Sequence, residues 1–312
     1  MINIVIVGSF SAINRHSNAL GGIHDVRITG RWITDGDREV VIDMESGHPC
    51  TSPDRVIGIA DAIIVAESGS FCSQVIIAAL RKARHVFLYP ASLRSVNEAN
   101  QLLKLAREAN VILKAGKTGY VNTAMLLQSI PHLSDINMVD LQHSRNIAES
   151  WPDGISGALL ADLEIISSLI SARIISIKAK GMSMISPEPE IINARLEFDN
   201  GCAVNYNCNL VSAQTEFRIT LVLKNRILKY DFISGDLTNW HLQQLNPHDN
   251  NPISIESVRI ENDDSLPSEI IEFISLIRSG QAFLSFNDNG FEPYLLTDRI
   301  MDRVMKTLVR CS

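Results

Sequence analysis

The first residues able to do chemistry are Gly8-Ser9-Phe10-Ser11-Ala12-Ile13, which follow the apolar run Asn3-Ile4-Val5-Ile6-Val7. A glycine at the end of a buried strand lets the chain turn tightly into a helix whose free amides can hold a phosphate. Gly8 stands where such a loop would begin, but Phe10 occupies the position of its second glycine. Ser9, Ser11 and the amides up to Ala12 still offer donors there. Downstream, Asp35 follows the strand-like run Val26–Thr34, about where a carboxylate would meet a ribose 2′-hydroxyl. It can equally cap or solvate the turn, and if Arg31 held that place a 2′-phosphate would suit it. His143 stands on a strand leading into the polar loop Arg145–Ser156, and imidazoles as a class change charge near neutral pH. It could move a proton, or serve as an ordinary structural residue. His241 and His248 fall in a polar loop without a third ligand, so no metal site is assigned. Cys50, Cys72, Cys202, Cys208 and Cys311 form no CxxC pair; Cys202 and Cys208, an even number of residues apart, share a strand face and read as packing.

Positioning these residues requires strands that end in helices. Asn3–Val7, Val26–Thr34, Ala62–Ala66, His85–Leu88 and Val111–Ala115 read as strands. Between them lie helices at Ser73–Lys82 and Ser95–Asn110, the latter with Ser95 and Glu98 at capping-box spacing, while Ser9–Leu20 reads as a loop entering a helix. Strands alternating with helices predict a doubly wound parallel sheet, an N-terminal Rossmann domain over residues 1–118. Past residue 118 the texture changes. Helices Asn122–Ile130 and Ala158–Ser171 flank a strand at Asn137–Ser144. Strand-like runs follow at Ile174–Lys180, Ile191–Phe198, Ala203–Leu210, Phe217–Leu223 and Arg226–Asp231, with Asp199-Asn200-Gly201 a hairpin signal. Residues 119–312 are therefore expected to form an α/β domain with a large, mostly antiparallel sheet, closed by helices at Pro267–Ser279 and Phe291–Val309.

Bulk properties narrow the partners. A formal net charge of −7 gives no global positive field for nucleic acid or anionic membrane. The basic run Arg81-Lys82-Ala83-Arg84 reads as a solvated helix end. Met1 leads directly into the first strand without a basic leader, and no apolar run reaches the ~18–20 residues of a membrane span. With an odd, low cysteine count, the cytoplasm is the expected compartment.

Several segments, in order and spacing, resemble the glucose–fructose oxidoreductase / inositol dehydrogenase (Gfo/Idh/MocA) family over essentially the whole chain. Ala78-Ala79-Leu80-Arg81-Lys82-Ala83-Arg84-His85-Val86-Phe87-Leu88-Tyr89-Pro90 is similar to its AL-x-AGKHV-x-x-EKP segment. Ala115–Asn122 resembles VG-x-x-x-RF-x-P, and Ala161-Asp162-Leu163-Glu164-Ile165-Ile166 the HD-x-D-L helix start. Phe273–Gly280 followed by Ser285–Gly290 matches the closing helix and DG pattern. The resemblance implies NAD or NADP as cofactor, held by Gly8, Ser9, Phe10, Ser11, Ala12, Arg31, Asp35, Glu67 and Pro90. It also implies hydride transfer to or from a sugar, cyclitol or related polyol. Tyr89 stands at the position of the EKP lysine, where a phenol can donate a proton but brings no positive charge. The family's catalytic histidine is missing: the matching position is Ala161 or Ile166, depending on which aspartate Asp162 represents. Tyr120 replaces the arginine of RF. Tyr89, Asp162 and His143 are the catalytic candidates. Asp162 can instead be a carboxylate favoured by a helix dipole, and Trp151-Pro152-Asp153-Gly154 a lid or an anchored loop tip. Two functions follow: an oxidoreductase on a small-molecule substrate, or a non-catalytic ligand-binding or regulatory protein on the same scaffold. Either is expected to form a homodimer through the open face of the second sheet.

Overall fold

The computed structural model describes residues 1–310 except 36–37, 45–46, 51, 68–71, 90–95, 118–123, 150–153, 243–252, 261–264 and 281–289. The chain divides into two compact units, Met1–Tyr120 with Asp264–Tyr294, and Val121–Asp263 with Leu295–Ser312. Each builds one sheet.

The first unit runs β1 (Ile2–Gly8), α1 (Phe10–Leu20), β2 (Val26–Asp35), β3 (Arg38–Asp43), β4 (His48–Cys50), α2 (Pro53–Ile59), β5 (Ala62–Val65), α3 (Cys72–Arg81), β6 (His85–Leu88), α4 (Val96–Ala109) and β7 (Leu113–Ala115). The sheet order is β4-β3-β2-β1-β5-β6-β7. Strands β2, β1, β5, β6 and β7 are parallel, while β3 and β4 add an antiparallel edge. This edge was not read from the sequence. The alternation of β1 shows how both faces are covered: Val5 and Val7 pack with α2, α3 and α4, and Ile4 and Ile6 pack with α1. The latter face is completed by Leu266, Ile270, Phe273 and Ile274 of the late helix Leu266–Arg278, so a segment from far down the chain belongs to this core. Side chains would crowd Gly30, where an added Cβ would lie 2.4 Å from Val56 and 3.0 Å from Val5. The strand order reverses about β1, whose neighbours are β2 and β5. That is the topological switch point, outside whose carboxyl ends ligands bind in open α/β sheets.

The second unit contains α5 (Ala124–Gln128), β8 (Ile136–Asn146), α6 (Gly154–Leu169), β9 (Ile174–Ser183), β10 (Ile191–Phe198), β11 (Ala203–Ser212), β12 (Glu216–Leu223), β13 (Arg226–Asp231), β14 (Asp236–Leu242) and β15 (Ile253–Arg259). Helix α7 (Leu266–Arg278) is the one packed in the first unit; α8 (Glu292–Lys306) and β16 (Val309–Arg310) end the chain. The sheet order is β15-β14-β13-β12-β8-β11-β10-β9-β16, with only β8–β11 and β9–β16 parallel. Strands β14 and β15 extend beyond the runs legible in the sequence, and His241 lies on β14 rather than in a loop. One face of the sheet carries Val139, Leu141, Leu196, Val204 and Leu221 into a core shared with α6 and with Leu296, Ile300 and Val304 of α8. Helix α6 is apolar nearly all round, as a helix sunk in a core must be. Among the described residues no helix is long and apolar enough to cross a membrane.

Candidate functional site

At the switch point β1 delivers Gly8, whose missing Cβ matters because one built there would sit 3.3 Å from Ala66 Cβ and 3.4 Å from Glu67 Cγ. Ser9 caps α1: its extended backbone ends the strand, and its Oγ accepts from the Ala12 amide at 3.4 Å. Ser9 also faces the end of β5. Its N–H donates to Glu67 Oε1 at 2.5 Å and its Oγ donates to Glu67 Oε2 at 2.6 Å. Ser11 Oγ lies 3.2 Å from Ser9 Oγ. Phe10, at the first helical position, is 55% exposed. Gly8, Ser9, Ser11, Ala12 and Glu67 are thus gathered at one helix N-terminus, with a carboxylate already on its cap. No sequence signal could have paired Ser9 with Glu67, which meet only because β1 and β5 are neighbours.

On β2, Ile33 is level with Gly8 and Arg31 with Ile6. The Arg31 Nε is buried and without a hydrogen-bond partner. Asp35 pairs with Arg38 across the β2–β3 turn, but its side chain lies outside the described residues, as do Pro90, Tyr120, His248 and Trp151–Asp153.

Tyr89 follows β6, held by its amide to Val65 O at 2.8 Å. Its ring meets the His16 ring edge-on at 5.4 Å, and Arg15 Nη1 donates to its hydroxyl at 3.0 Å. A phenol oxygen accepting from a guanidinium can still donate its own proton to a third group. Arg15 was not singled out in the sequence; as part of α1's amphipathic turn it shows only a solvated charge.

In the second unit, His143 and Asp162 come together. His143 Nδ1 lies 3.1 and 3.0 Å from the two Asp162 oxygens, and Tyr206 donates its hydroxyl to Asp162 Oδ2 at 2.8 Å. Asp162 is 0% exposed and His143 4%. Asp162 sits midway along α6, away from the helix start where a carboxylate would meet the dipole. Phe217 stacks on the His143 ring with centroids 4.2 Å apart, and Cys208 is level with His143 across the parallel β8–β11 pair. Burial pushes the Asp162 carboxyl up, with the hydrogen bonds from His143 and Tyr206 opposing it. Burial and the neighbouring Asp162 drive the Tyr206 hydroxyl well above its ordinary value, and push the Cys208 thiol up as well. The ligand atoms of His143, Asp162 and Cys208 lie within 4.8 Å of one another. A metal would need thiolate and carboxylate there, whereas the surroundings favour thiol and a carboxyl already bonded to two partners. The cluster reads as a satisfied polar tie among β8, β11 and α6.

Against models of protein families the chain has no match. It is 21% identical over 233 residues, covering 72% of this chain and 73% of the other, to a UDP-N-acetylglucosamine 3-dehydrogenase of Acidithiobacillus ferrooxidans. The solved structure of that enzyme superposes with a TM-score of 0.78 at 17% identity, covering 98% of this chain and 99% of that one. A 3-ketoreductase from Actinomadura kijaniata, solved with TDP-benzene and NADP, gives a TM-score of 0.71 at 14% identity, covering 100% and 99% of the two chains. Biliverdin reductase from Synechocystis sp. PCC 6803, in complex with biliverdin and NADP+, gives 0.70 at 16%, covering 97% and 99%. At such identities the likeness establishes a shared fold across both units.

Proposed function

We propose that the chain is an NAD(P)-dependent oxidoreductase of the Gfo/Idh/MocA family acting on a small sugar, cyclitol or related polyol. The observation that carries this reading is the glycine-ended β1 and capped α1 at the switch point, within a fold shared end to end with a nucleotide-sugar dehydrogenase. The donor set fits a dinucleotide. The amides of the first turn from Phe10 to Ala12 and the Ser9 hydroxyl would hold its pyrophosphate. Arg31 or Asp35 would meet its adenosine ribose, the arginine favouring a 2′-phosphate, and Glu67 and Pro90 would border it from the ends of β5 and β6. When bound, the nicotinamide accepts or supplies a hydride at the substrate carbon.

The substrate hydroxyl proton is the protein's task. Tyr89, its oxygen accepting from Arg15, would give its O–H proton to the substrate oxygen in the reducing direction and, as the phenolate, take it back in the oxidising one. His143 and Asp162, turned into the core and bonded to each other, act as positioning residues that fix β8 against α6. The compartment consistent with five cysteines lacking any CxxC spacing is the cytoplasm.

A second reading, a non-catalytic ligand-binding or regulatory protein, is favoured by one observation: the Ser9 donors are occupied by Glu67. Titration of the purified protein with NADH and NADPH, followed by fluorescence, separates the two. Saturable binding of at least one dinucleotide, with turnover on a panel of polyols and nucleotide sugars, is the expected result. Tyr89→Phe should then lower turnover by about 10²–10⁴-fold with little change in cofactor affinity. No binding of either dinucleotide at millimolar concentration rejects the oxidoreductase.

A further inference from the structure

The contact between Ser9 and Glu67 does more than fill a turn. Helix α1 is 11 residues long and its N-terminus carries the partial positive charge of an aligned peptide array. Two donors of its cap, the Ser9 N–H and Oγ, converge on the two oxygens of one carboxylate, at 2.5 and 2.6 Å. A phosphate at a capped helix end is bound in that same manner, through backbone and hydroxyl donors to neighbouring oxygens. Glu67 reaches the spot because β5 lies beside β1, and because Gly8 leaves room for its stem, its Cγ standing 3.4 Å from where a Cβ on residue 8 would be. Its backbone is held in place too, since the Glu67 carbonyl accepts from Cys72 Sγ at 3.2 Å.

Resting on the dinucleotide reading above, we propose that Glu67 is a built-in competitor of the cofactor's pyrophosphate and so sets the chain's affinity for NAD(P). The carboxylate and a pyrophosphate both claim the Ser9 hydroxyl and carry the same sign, so they cannot share the cap. Cofactor binding therefore requires the Glu67 side chain to swing off Ser9. The displaced carboxylate remains close by, since Glu67 is anchored two residues past β5, and a like charge at such range opposes the phosphates further. Loss of that charge should strengthen binding of any ligand that carries the pyrophosphate, and leave alone any that lacks it.

The test uses the full-length chain, wild type, E67Q and E67A, titrated with NADH, NADPH, ADP-ribose and adenosine. E67Q keeps an oxygen to accept from Ser9, and E67A removes the side chain; circular dichroism and melting temperature establish that each is folded. Both variants are expected to bind NADH, NADPH and ADP-ribose about tenfold more tightly than wild type or better, and adenosine with unchanged affinity. Three outcomes overturn the proposal while leaving the dinucleotide reading intact. They are equal affinity of wild type and variants for the pyrophosphate ligands, weaker binding by the variants (Glu67 then holds the cofactor directly), and a gain that extends equally to adenosine. Failure of wild type and both variants to bind any pyrophosphate ligand is a different result, which removes the dinucleotide reading and this proposal with it.

Discussion

Asp162 serves two buried donors, the imidazole of His143 and the hydroxyl of Tyr206, with no solvent to replace either bond. Asp162→Ala would remove the acceptor that both share, and a loss of about 2–4 kcal/mol in urea unfolding is expected. Asp162→Asn keeps one oxygen and should cost less. The charge can be separated from the bonds by pH. Because burial holds the folded carboxyl above its ordinary value of 3.8, the folded state binds more protons than the unfolded chain in the window just above that value. The aspartate's contribution is therefore fully present below pH 3.8 and falls as pH rises through the window. Wild-type stability measured against Asp162→Asn should decline across it and then level off. A difference that grows with pH there would mean that His143 and Tyr206 outweigh the burial of Asp162, with the Cys208 thiol the remaining titratable neighbour. Residue-scale chemistry was only partly legible in the sequence. Gly8, Ser9 and Tyr89 could be named from strand ends and from motif position. The bonds that decide their roles join residues 58 or 74 positions apart, from Ser9 to Glu67 and from Arg15 to Tyr89, and exist only once the strand order is known.

Elements were legible where hydrophobic period and turn chemistry agreed. The parallel strands β1, β5 and β6 carry unbroken apolar runs buried on both faces, Ile4–Val7, Ala62–Val65 and Val86–Leu88, and the β10–β11 hairpin announces itself at Asp199-Asn200-Gly201. Strand β3 escaped because Arg38, Glu39 and Asp43 make half of its six residues polar, and β4, which covers it as the edge strand, is only three residues long. Strand β14, Asp236-Leu237-Thr238-Asn239-Trp240-His241-Leu242, is likewise too polar to stand out before its partners β13 and β15 are placed. The turn from β9 to β10 is organised by one side chain. Glu190 accepts from the amides of Met184 and Ser186, each at 2.6 Å, and of Ile185 at 3.2 Å. Although what burial it has pushes the carboxyl up, these amides and the Ser186 hydroxyl together hold it below its ordinary 4.5. A depressed carboxyl stabilises above the unfolded value and loses its contribution as pH falls through the folded one. Melting temperatures of wild type and Glu190→Gln should thus differ most at neutral pH and converge below pH 4.5. A gap that stays constant to lower pH would show that the Glu190 charge does not hold the loop.

For the whole molecule the open face of the second sheet is the feature that bears on assembly, and it mixes charged and polar side chains with the exposed apolar Met138, Met182 and Ile255. The register sets Lys178, Arg195, Asn205, Asp140, Thr220 and Lys229 in one row across six strands. Charge along the face is uneven. A groove of about 460 Å³ at the β9–β10 end is lined by Lys178, Lys180 and Arg195, with Arg303 and Lys306 of α8. A second of about 340 Å³, across β8 and β12–β14, holds Asp140, Asp231 and Asp236 beside Arg218 and Lys229. A two-fold contact presents the same patch on both partners, so a face with a basic end and a more acidic one is self-complementary when rotated onto itself. We expect a homodimer through this face, in which charge complementarity works against the long-range repulsion of protomers that each carry a net charge of −7. Such an interface should weaken with salt, because exposed charges are screened within about 3 Å at 1 M. Light scattering after size exclusion should give twice the monomer mass at 50 mM salt and a shift toward monomer at 1 M. The double substitution K178E/K180E should reproduce that shift at low salt with the chain still folded by circular dichroism, as both side chains are exposed. A monomer at every salt concentration, or a dimer indifferent to both salt and charge reversal, would assign assembly to some other surface or to none.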